Sequence, residues 1–402
     1  MKIGIIRERK NPPDERVPFT PTQCVEIMKR YPHLEIVVEP SNIRCFRDEL
    51  YQSVGIRMQS DLTDCDALMG VKEVPMDALI PDKTYFFFSH TIKEQPYNRS
   101  LLQTMLKKSI TMIDYEALTH TNGMRVLGFG RYAGIVGTYN GLLALGLRSG
   151  LFSLKPANQC SDKTEMYHEL RKVRLPKNFK IVVTGKGRVG MGSLEVLERL
   201  NIQKVDKLTF VNESTTQPVF CHIDVDDYYE RKDRKTFEMH DFFRDPSDYN
   251  STFSQFSSVA NMYIACHFWD SRAPYLFTRE DMKNPNWNIG LVADISCDID
   301  GPVASTLRPS TIENPLYGYD VKTGKECSFA DKDSIGVMAV DNLPCELPKD
   351  ASEDFGENLL KHILPAFIEK DKDGVIDRGT ICANGDLKPK FKYLKNYVSQ
   401  SM

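Results

Sequence analysis

A β-branched run, a glycine cluster and an apolar helical pattern follow one another between positions 179 and 200, and this order constrains the fold most. The run Phe179-Lys-Ile-Val-Val-Thr leads into Gly185-Lys-Gly187-Arg-Val-Gly190. Apolar side chains then recur at helical spacing, at Val189, Val196, Leu197 and Leu200. A strand, the pattern Gly-x-Gly-x-x-Gly and a helix together form the context that a dinucleotide-binding fingerprint requires.

Each glycine of this loop has its own expected task. We expect Gly185 to form the tight turn, Gly187 to let the backbone approach a pyrophosphate, and Gly190 to let the helix pack closely on the strand. The free N–H groups at the start of the helix would then face the phosphates. The alternative is a glycine-rich strand–helix turn that binds no ligand.

Composition and charge exclude several classes of protein. The 402 residues suffice for two domains of ordinary size. Lys and Arg total 52 and Asp and Glu total 55, so there is no basic excess and we expect no nucleic-acid partner. Ten cysteines without Cys-x-x-Cys spacing favour reduced thiols and a cytoplasmic protein. The most apolar region, Val126 to Phe152, contains Arg131 and Arg148, so we expect no membrane association.

Strands alternate with helices in the first part of the chain. Thr20-Pro21-Thr22-Gln23 predicts a helix start with a capping box. Buried strands are predicted at Lys2 to Ile6, Leu34 to Val38, Ala67 to Val71, Tyr85 to Phe88 and Ile110 to Ile113. This alternation predicts an α/β fold, with two Rossmann-like doubly wound domains, mostly parallel sheets and a cleft between them.

The second half continues the pattern with one polar interruption. Small residues between Gly128 and Leu154 predict a tightly packed helix that connects two domains, and a last helix is predicted from Ser352 to Ile368. Further strands are predicted at Lys207 to Val211, Ala260 to Ala265 and Ile289 to Ile295, and residues 212–258 read as a surface insertion. We expect residues 1–130 plus 345–402 to form a discontinuous substrate domain, and residues 131–344 to form the dinucleotide-binding domain.

Polar side chains follow several of the predicted strands. Lys72 and Glu73 follow one strand, and His90 follows another. Ligands of open α/β sheets bind outside the carboxyl ends of the strands, so these positions suit catalytic groups. A solvent-facing Lys72 and a capping His90 are equally compatible with the sequence alone. Asp294 also follows a predicted strand, and we favour a place in a cleft over a loop cap.

The sequence gives little support for a bound metal. Cys221-His222 and Cys266-His267 are adjacent pairs, which do not have regular zinc-ligand spacing. The acidic run that begins at Glu369 imitates a calcium loop, but Thr380 stands where a bidentate glutamate is needed. We therefore expect no metal site.

Several stretches together resemble the lysine-forming saccharopine dehydrogenases, within the alanine dehydrogenase and transhydrogenase group. The likeness is strongest to the lysine–ketoglutarate reductase half of the bifunctional animal and plant enzyme, and it covers nearly the whole chain apart from the insertion. The matching segments are Asp14-Glu-Arg16-Val-Pro-Phe-Thr-Pro21, Gly70-Val-Lys72-Glu73, Phe88-Ser-His90-Thr-Ile-Lys93, Asp114-Tyr-Glu116, Arg125-Val-Leu-Gly-Phe-Gly-Arg-Tyr-Ala-Gly134, Val292-Ala-Asp294-Ile-Ser-Cys-Asp298 and Asp341-Asn-Leu-Pro-Cys-Glu-Leu-Pro348.

The resemblance implies a reversible reaction in which saccharopine, an oxidised nicotinamide cofactor and water give lysine and 2-oxoglutarate. By the family's pattern, Lys72 and His90 are the catalytic acid–base groups, and Glu73 and Glu116 tune them. The substrate's carboxylates would bind Arg16, Lys93 and Arg125. The cofactor positions implied are Gly185, Gly187, Arg188, Val189, Gly190, Cys266, Asp294, Asn342 and Leu343.

The position expected to bind the NAD ribose departs from the pattern. After the predicted strand at 207–211 the chain reads Asn212-Glu213, so the acidic residue stands one or two places late. Glu213 is the candidate for the ribose hydroxyls, and no arginine follows at once to hold a 2′-phosphate. This favours NAD, with NADP still possible.

Two other functions compete with this interpretation. The first is an alanine dehydrogenase-like enzyme, against which Lys93, Glu116 and Arg125 argue because a small amino acid does not need so many charges. The second is a non-catalytic dinucleotide-sensing protein, against which the retention of Lys72 and His90 argues. The expected partners are small molecules, namely saccharopine, lysine and 2-oxoglutarate, and the expected assembly is a monomer or a small homo-oligomer.

Overall fold

The computed structural model describes residues 1–400, which divide into two compact units. The first unit comprises Met1–Phe129 and the chain from Pro348 onward, and the second comprises Gly130–Leu347. Each unit is built around its own eight-stranded sheet. No helix within residues 1–400 is long and apolar enough to cross a membrane.

The first sheet is parallel over six of its eight strands. Its spatial order is β18-β17-β6-β5-β4-β1-β2-β3, with only β17 and β18 antiparallel to their neighbours. The strands are β1 (Lys2–Ile5), β2 (Glu35–Val38), β3 (Arg57–Met58), β4 (Ala67–Met69), β5 (Thr84–Phe87), β6 (Thr111–Asp114), β17 (Thr380–Ala383) and β18 (Asp386–Leu387).

The second sheet has the same character. Its order is β15-β14-β16-β13-β12-β7-β9-β8, with β14 and β15 antiparallel at one edge and the others parallel. The strands are β7 (Lys180–Thr184), β8 (Gln203–Lys204), β9 (Val219–Ile223), β12 (Met262–Ala265), β13 (Leu291–Asp294), β14 (Leu316–Asp320), β15 (Lys325–Cys327) and β16 (Ile335–Met338). A separate antiparallel pair joins β10 (Tyr229–Arg231) to β11 (Tyr249–Ser251). The predicted α/β fold with mostly parallel sheets is confirmed.

Fourteen α-helices are present in the described residues. In the first unit these are α1 (Pro21–Arg30), α2 (Asp48–Ser53), α3 (Arg99–Lys107), α11 (Pro348–Asn358), α12 (Leu364–Ile368), α13 (Val375–Gly379) and α14 (Lys395–Ser399). In the second unit they are α4 (Gly130–Ser149), α5 (Lys163–Glu169), α6 (Arg188–Arg199), α7 (Lys207–Asn212), α8 (Val225–Tyr228), α9 (Met239–Arg244) and α10 (Ser254–Ser257).

Local sequence signals explain where several of these helices begin. Thr20 caps α1 by accepting the N–H of Gln23, whose side chain accepts the N–H of Thr20 in return. The capping box expected there is therefore confirmed. The predicted last helix also forms, although it starts at Pro348 and contains a π-helical segment, Leu359–Ile363, between α11 and α12.

Helices α4 and α6 approach each other at backbone distance because glycines lie between them. A Cβ atom at Gly134 would lie 1.9 Å from the carbonyl oxygen of Val189, and one at Gly192 would lie 2.0 Å from that of Arg131. The small residues of the 128–154 stretch thus pack the helix against the helix that follows the glycine loop.

The predicted strand at residues 207–211 is wrong, because this segment forms helix α7. Asp206 caps the helix by accepting the N–H groups of Leu208 and Thr209, at 2.9 and 3.1 Å. This local signal outweighs the β-branched composition. The strand that pairs with β7 is instead β9, which lies further along the chain.

The surface insertion predicted at residues 212–258 is also corrected. Strand β9, in the middle of this range, is a member of the second sheet and almost entirely buried. The aromatic residues that follow it pack into the core of the second unit, including Tyr228, Phe242, Tyr249, Phe253 and Phe256. The range therefore supplies core as well as surface.

Candidate functional site

Four neighbouring parallel strands of the first unit end at the same edge of their sheet. They are β1, β4, β5 and β6, whose last residues are Ile5, Met69, Phe87 and Asp114. The chain segments that leave this edge carry the polar residues predicted for the site: Arg16 after β1, Lys72 and Glu73 after β4, His90 and Lys93 after β5, and Glu116 and Arg125 after β6. Parallel topology alone thus gathers them.

His90 and Glu73 form a directly bonded pair. Nδ1 of His90 lies 2.6 Å from Oε1 of Glu73, and Nζ of Lys10 lies 2.9 Å from Oε2. Burial opposes ionisation of Glu73, but the hydrogen bonds from His90 and Lys10 outweigh it and hold its pKa at about 2. Because the carboxylate is ionised, Nδ1 of His90 is the donor, and Nε2 is left as the basic nitrogen of the ring.

A buried carboxyl group holds the segment that carries His90. Asp114 accepts the N–H of Ser89 at 3.1 Å, the hydroxyl of Ser89, and the N–H of Glu116 at 2.7 Å. Burial raises the pKa of Asp114 to about 6, against the hydrogen bonds that favour its charged form. His90 itself has a left-handed φ of 53°, which is uncommon outside glycine. These bonds tie the segment after β5, which carries His90, to the segment after β6, which carries Glu116.

Glu8 fixes the backbone that carries Lys72. Its carboxyl oxygens accept the N–H groups of Val71 and Lys72, at 2.7 and 2.9 Å. Burial raises the pKa of Glu8 to about 8, and the nearby charge of Asp14 adds to this. The positive charge of Lys72 lies close enough to Asp14 to favour its ionised form. The main chain of Lys72 is therefore held by Glu8, and the charge of its side chain interacts with Asp14.

Arg16 is buried with its planar group locked. Its Nε and Nη2 atoms donate to Asp14 at 2.9 and 2.6 Å, in the bidentate geometry that suits a guanidinium. Its Cζ atom lies 4.1 Å from the centre of the Phe129 ring. The carboxylate and the ring therefore leave Arg16 little rotational freedom.

Glu116 links the other two predicted cations. Its Oε1 atom lies 2.7 Å from Nη2 of Arg125 and 3.5 Å from Nζ of Lys93. The carboxylate is buried, whereas the side chains of Lys93 and Arg125 are 51% and 59% exposed. Two accessible cations thus share one buried counter-charge.

The glycine loop of the second unit has the geometry that its spacing predicts. Gly185 has a φ of +89°, and a Cβ atom there would lie 2.7 Å from Cα of His267. A Cβ atom at Gly190 would lie 1.8 Å from the carbonyl oxygen of Gly185, whereas one at Gly187 would meet nothing within 4 Å. Arg188 and Val189 form the first turn of α6. Gly187 has open space beside it and stands at the start of a helix, and both features suit a phosphate.

Cys266 and His267 lie at the carboxyl end of β12, beside this loop. Sγ of Cys266 lies 3.1 Å from Oγ of Ser193, and burial raises the pKa of the thiol to about 12. Nδ1 of His267 lies 2.8 Å from Oγ1 of Thr184, and burial lowers the pKa of the ring to about 4. Nε2 of His267 is buried and has no hydrogen-bond partner within residues 1–400. Sequence reasoning weighed His267 only as a zinc ligand and missed its position.

Three other predicted cofactor residues also lie in the second unit. Asp294 ends β13 and accepts the hydroxyl of Thr306 at 2.6 Å, and burial raises its pKa to about 6 against this bond. Asn342 has a left-handed φ of 63°, and Leu343 after it is buried. Within residues 1–400, no three His, Cys, Asp or Glu side chains are grouped as ligands for a metal ion.

Glu213 does not occupy the place predicted for it. Its carbonyl oxygen accepts a hydrogen bond of 2.8 Å from Nζ of Lys180, the first residue of β7, so it lies toward the amino end of that strand. The glycine loop is at the opposite end. The acidic residue at the carboxyl end of β9, the strand beside β7, is Asp224. The wrong strand at 207–211 caused this error.

The fold of the chain is similar to that of two kinds of solved structure. The family model described as the N-terminal domain of alanine dehydrogenase/PNT matches residues 4–136. An L-alanine dehydrogenase aligns over 99% of this chain and 100% of its own, with a TM-score of 0.67 and 17% identity. A transhydrogenase from Sinorhizobium meliloti aligns over 96% of this chain and 100% of its own, with a TM-score of 0.61 and 14% identity. These structures share the fold.

Curated relatives of the chain include proteins of two names. Alpha-aminoadipic semialdehyde synthase of Arabidopsis thaliana is 29% identical over 98% of this chain and 41% of its own length. The mitochondrial protein of the same name from Rattus norvegicus is 28% identical over 98% of this chain and 47% of its own. Saccharopine dehydrogenase [NAD(+), L-lysine-forming] of Emericella nidulans is 24% identical over 89% of this chain and 90% of its own.

These matches confirm the resemblance that the sequence motifs indicate. The chain has homologues named lysine-forming saccharopine dehydrogenase and alpha-aminoadipic semialdehyde synthase. It spans less than half the length of the alpha-aminoadipic semialdehyde synthases that it matches.

Proposed function

We propose that this chain is an NAD-dependent oxidoreductase of lysine metabolism that interconverts saccharopine and lysine. In one direction saccharopine, NAD⁺ and water give lysine, 2-oxoglutarate, NADH and a proton. The observation that carries the proposal is the bonded pair of His90 and ionised Glu73 at the same sheet edge as Lys72. The names of the relatives support the same reaction.

The chemistry divides between the cofactor and the side chains of the first unit. The nicotinamide, when bound, accepts the hydride from the carbon next to the secondary amine of saccharopine. Before that step the amine must lose a proton, and afterwards a water molecule must be deprotonated as it adds to the imine carbon. Nε2 of His90 and the amine of Lys72 are the two groups that we assign to these proton transfers.

The cations of the first unit suit a substrate with three carboxylates. Arg16 presents a guanidinium fixed by Asp14 and Phe129, so it binds a carboxylate without first losing side-chain freedom. Lys93 and Arg125 are partly exposed and both lie beside Glu116, so their positive charges are accessible to a substrate carboxylate. We therefore assign Arg16, Lys93 and Arg125 to substrate binding.

The second unit has the features that a dinucleotide needs. The pyrophosphate is assigned to Gly185, Gly187, Arg188, Val189 and Gly190, with open space before Gly187. The unsatisfied Nε2 of His267, beside the loop, offers a further polar atom that a bound group can satisfy. We place Cys266, Asp294, Asn342 and Leu343 around the remainder of the cofactor.

Cofactor choice rests on Asp224. An acidic side chain at the end of the second strand of such a fold binds the ribose 2′-hydroxyl of NAD and repels the 2′-phosphate of NADP. Asp224 also caps α8, accepting the N–H of Val225. Replacing Asp224 by serine keeps a good capping residue and removes the charge.

We expect Asp224→Ser to raise the Michaelis constant for NADH at least tenfold and to lower that for NADPH. The reason is that the repulsion of a 2′-phosphate disappears together with the bond to the 2′-hydroxyl. Glu213→Ser, which removes a carboxylate near the amino end of β7, should leave both constants unchanged. Steady-state kinetics with the two cofactors checks this. If Glu213→Ser changed the Michaelis constants and Asp224→Ser did not, Glu213 would be the residue that binds the ribose.

The direct test follows cofactor absorbance with lysine and 2-oxoglutarate present together. We expect oxidation of NADH that requires both substrates and stops when either is omitted. Pyruvate with ammonia serves as the parallel assay. Turnover with that pair alone would replace the proposal by an alanine dehydrogenase-like activity, and cofactor binding without any turnover would favour a sensing protein.

The proposal also covers the ligands, the assembly and the compartment of the protein. We propose small-molecule substrates as the ligands, and a monomer or a small homo-oligomer as the assembly. All ten cysteines are free thiols in the structure, which supports a reducing compartment such as the cytoplasm.

A further inference from the structure

The second unit contains a large groove that the reaction does not use. Its volume is about 1160 Å³, and it is bounded by α5, the chain that follows it, the end of α6 and the residues before β9. Ligand sites in proteins usually measure about 300–1,000 Å³. The groove is therefore large enough for a molecule of nucleotide size.

The charged side chains that line the groove are all basic. The cationic side chains that line it are Lys163, Arg171, Arg174 and Arg199, and within the described residues its lining includes no carboxylate. Cations that share a concave surface raise the local potential and concentrate anions. The lining thus selects for negative charge.

Three acidic side chains on α5 and α6 pair with cations that do not line the groove. Glu165 pairs with Lys155 at 2.6 Å, and Glu169 pairs with Lys172 at 2.6 Å. Glu195 on α6 pairs with Arg131 at 2.6 Å. These three carboxylates therefore have partners other than the arginines that line the groove.

The floor of the groove is apolar and aromatic. The guanidinium of Arg199 lies 4.0 Å from the centre of the Tyr167 ring, and Leu170 and Ile202 also line the space. Burial raises the pKa of the Tyr167 hydroxyl. An occupant with an apolar or planar part as well as negative charge matches such a floor.

The groove is remote from the glycine loop. Helix α6 begins at the loop, and its last residue, Arg199, lines the groove. Its 12 residues span about 18 Å at 1.5 Å per residue. A molecule of nucleotide size in the groove therefore does not occupy the pyrophosphate position.

We propose that this groove binds a small phosphorylated organic molecule, with its phosphates on the arginines and its organic part on the floor near Tyr167. Planar guanidinium groups suit phosphate oxygens, and Arg171 and Arg174 present two of them on one short segment. The site is separate from the one that we assign to the dinucleotide.

Isothermal titration with ATP and with inorganic tripolyphosphate tests the site. We expect both to bind, ATP more tightly because its base and ribose also contact the floor. The double variant Arg171→Glu and Arg174→Glu should weaken both affinities at least tenfold. The matched control is Lys322→Glu with Lys325→Glu on the β14–β15 hairpin, which makes the same change in net charge and should leave binding unchanged.

Three results would overturn the proposal. The first is the absence of binding in the wild-type chain, which would make the groove a solvated basic surface. The second is equal loss in both double variants, which would indicate a general charge effect. The third is ATP binding that the groove variant does not alter, which would place ATP elsewhere, for example at the glycine loop. Tryptophan fluorescence of each variant verifies its fold, because Trp269 and Trp287 both lie in the second unit.

Discussion

Lys72→Met is expected to lower kcat by about 10²–10⁴-fold in the reaction of lysine with 2-oxoglutarate, the range typical of a lost acid–base group. Methionine keeps most of the apolar stem of the side chain but has no amine to carry a proton. The affinity for NADH should remain near that of the wild type, because we assign the cofactor to the second unit. The Michaelis constants should change much less than kcat.

One bond that holds this segment does not depend on the side chain that the substitution changes. The main-chain N–H of Lys72 donates to Glu8 at 2.9 Å, and the variant keeps this bond. Lys107→Met, at an exposed position in the last turn of α3, is the matched control and should keep full activity. An unchanged kcat in Lys72→Met, with Lys107→Met equally active, would remove Lys72 from the catalytic groups.

The sequence predicts which polar residues lie at one edge of the first sheet, because strand ends are local signals. Short buried apolar runs mark where Ala67–Met69, Thr84–Phe87 and Thr111–Asp114 stop, and the residues after them leave the same edge once the sheet is parallel. The glycine loop is predictable because its glycines recur at a fixed local spacing, although the close approach at Gly185 is to His267, which is distant in sequence. Both features depend on periodicity and on neighbouring residues.

The features that the sequence did not predict depend on contacts across long stretches of chain. Glu8 accepts the N–H groups of residues 63 and 64 positions away, and its raised pKa comes from burial that no local pattern reveals. The helix at 207–212 is a different case, because a local cap at Asp206 was present and the β-branched pattern was given more weight. Because this segment is a helix, the acidic residue that follows the strand beside β7 is Asp224 and not Glu213.

Gly192→Ala is expected to destabilise the second unit by about 3 kcal/mol, at the upper end of overpacking effects. The added Cβ would lie 2.0 Å from the carbonyl oxygen of Arg131 and 3.1 Å from the amide nitrogen of Ile135. Both are backbone atoms of α4, so the two helices must separate to accommodate it. Helix propensity acts in the opposite direction, since alanine is favoured over glycine by about 1 kcal/mol within a helix.

The opposite signs of these two effects make the measurement decisive. Urea unfolding followed by tryptophan fluorescence reports on the second unit, because Trp269 and Trp287 are the protein's two tryptophans. Gly187→Ala is the matched control, since a Cβ atom there meets nothing within 4 Å, and its free energy of unfolding should change by less than about 1 kcal/mol. Equal or greater stability in Gly192→Ala would mean that α4 and α6 are not held at backbone distance. A selective loss in that variant would show that the packing of α4 on α6 requires glycine at position 192, whereas the fold does not require it at position 187.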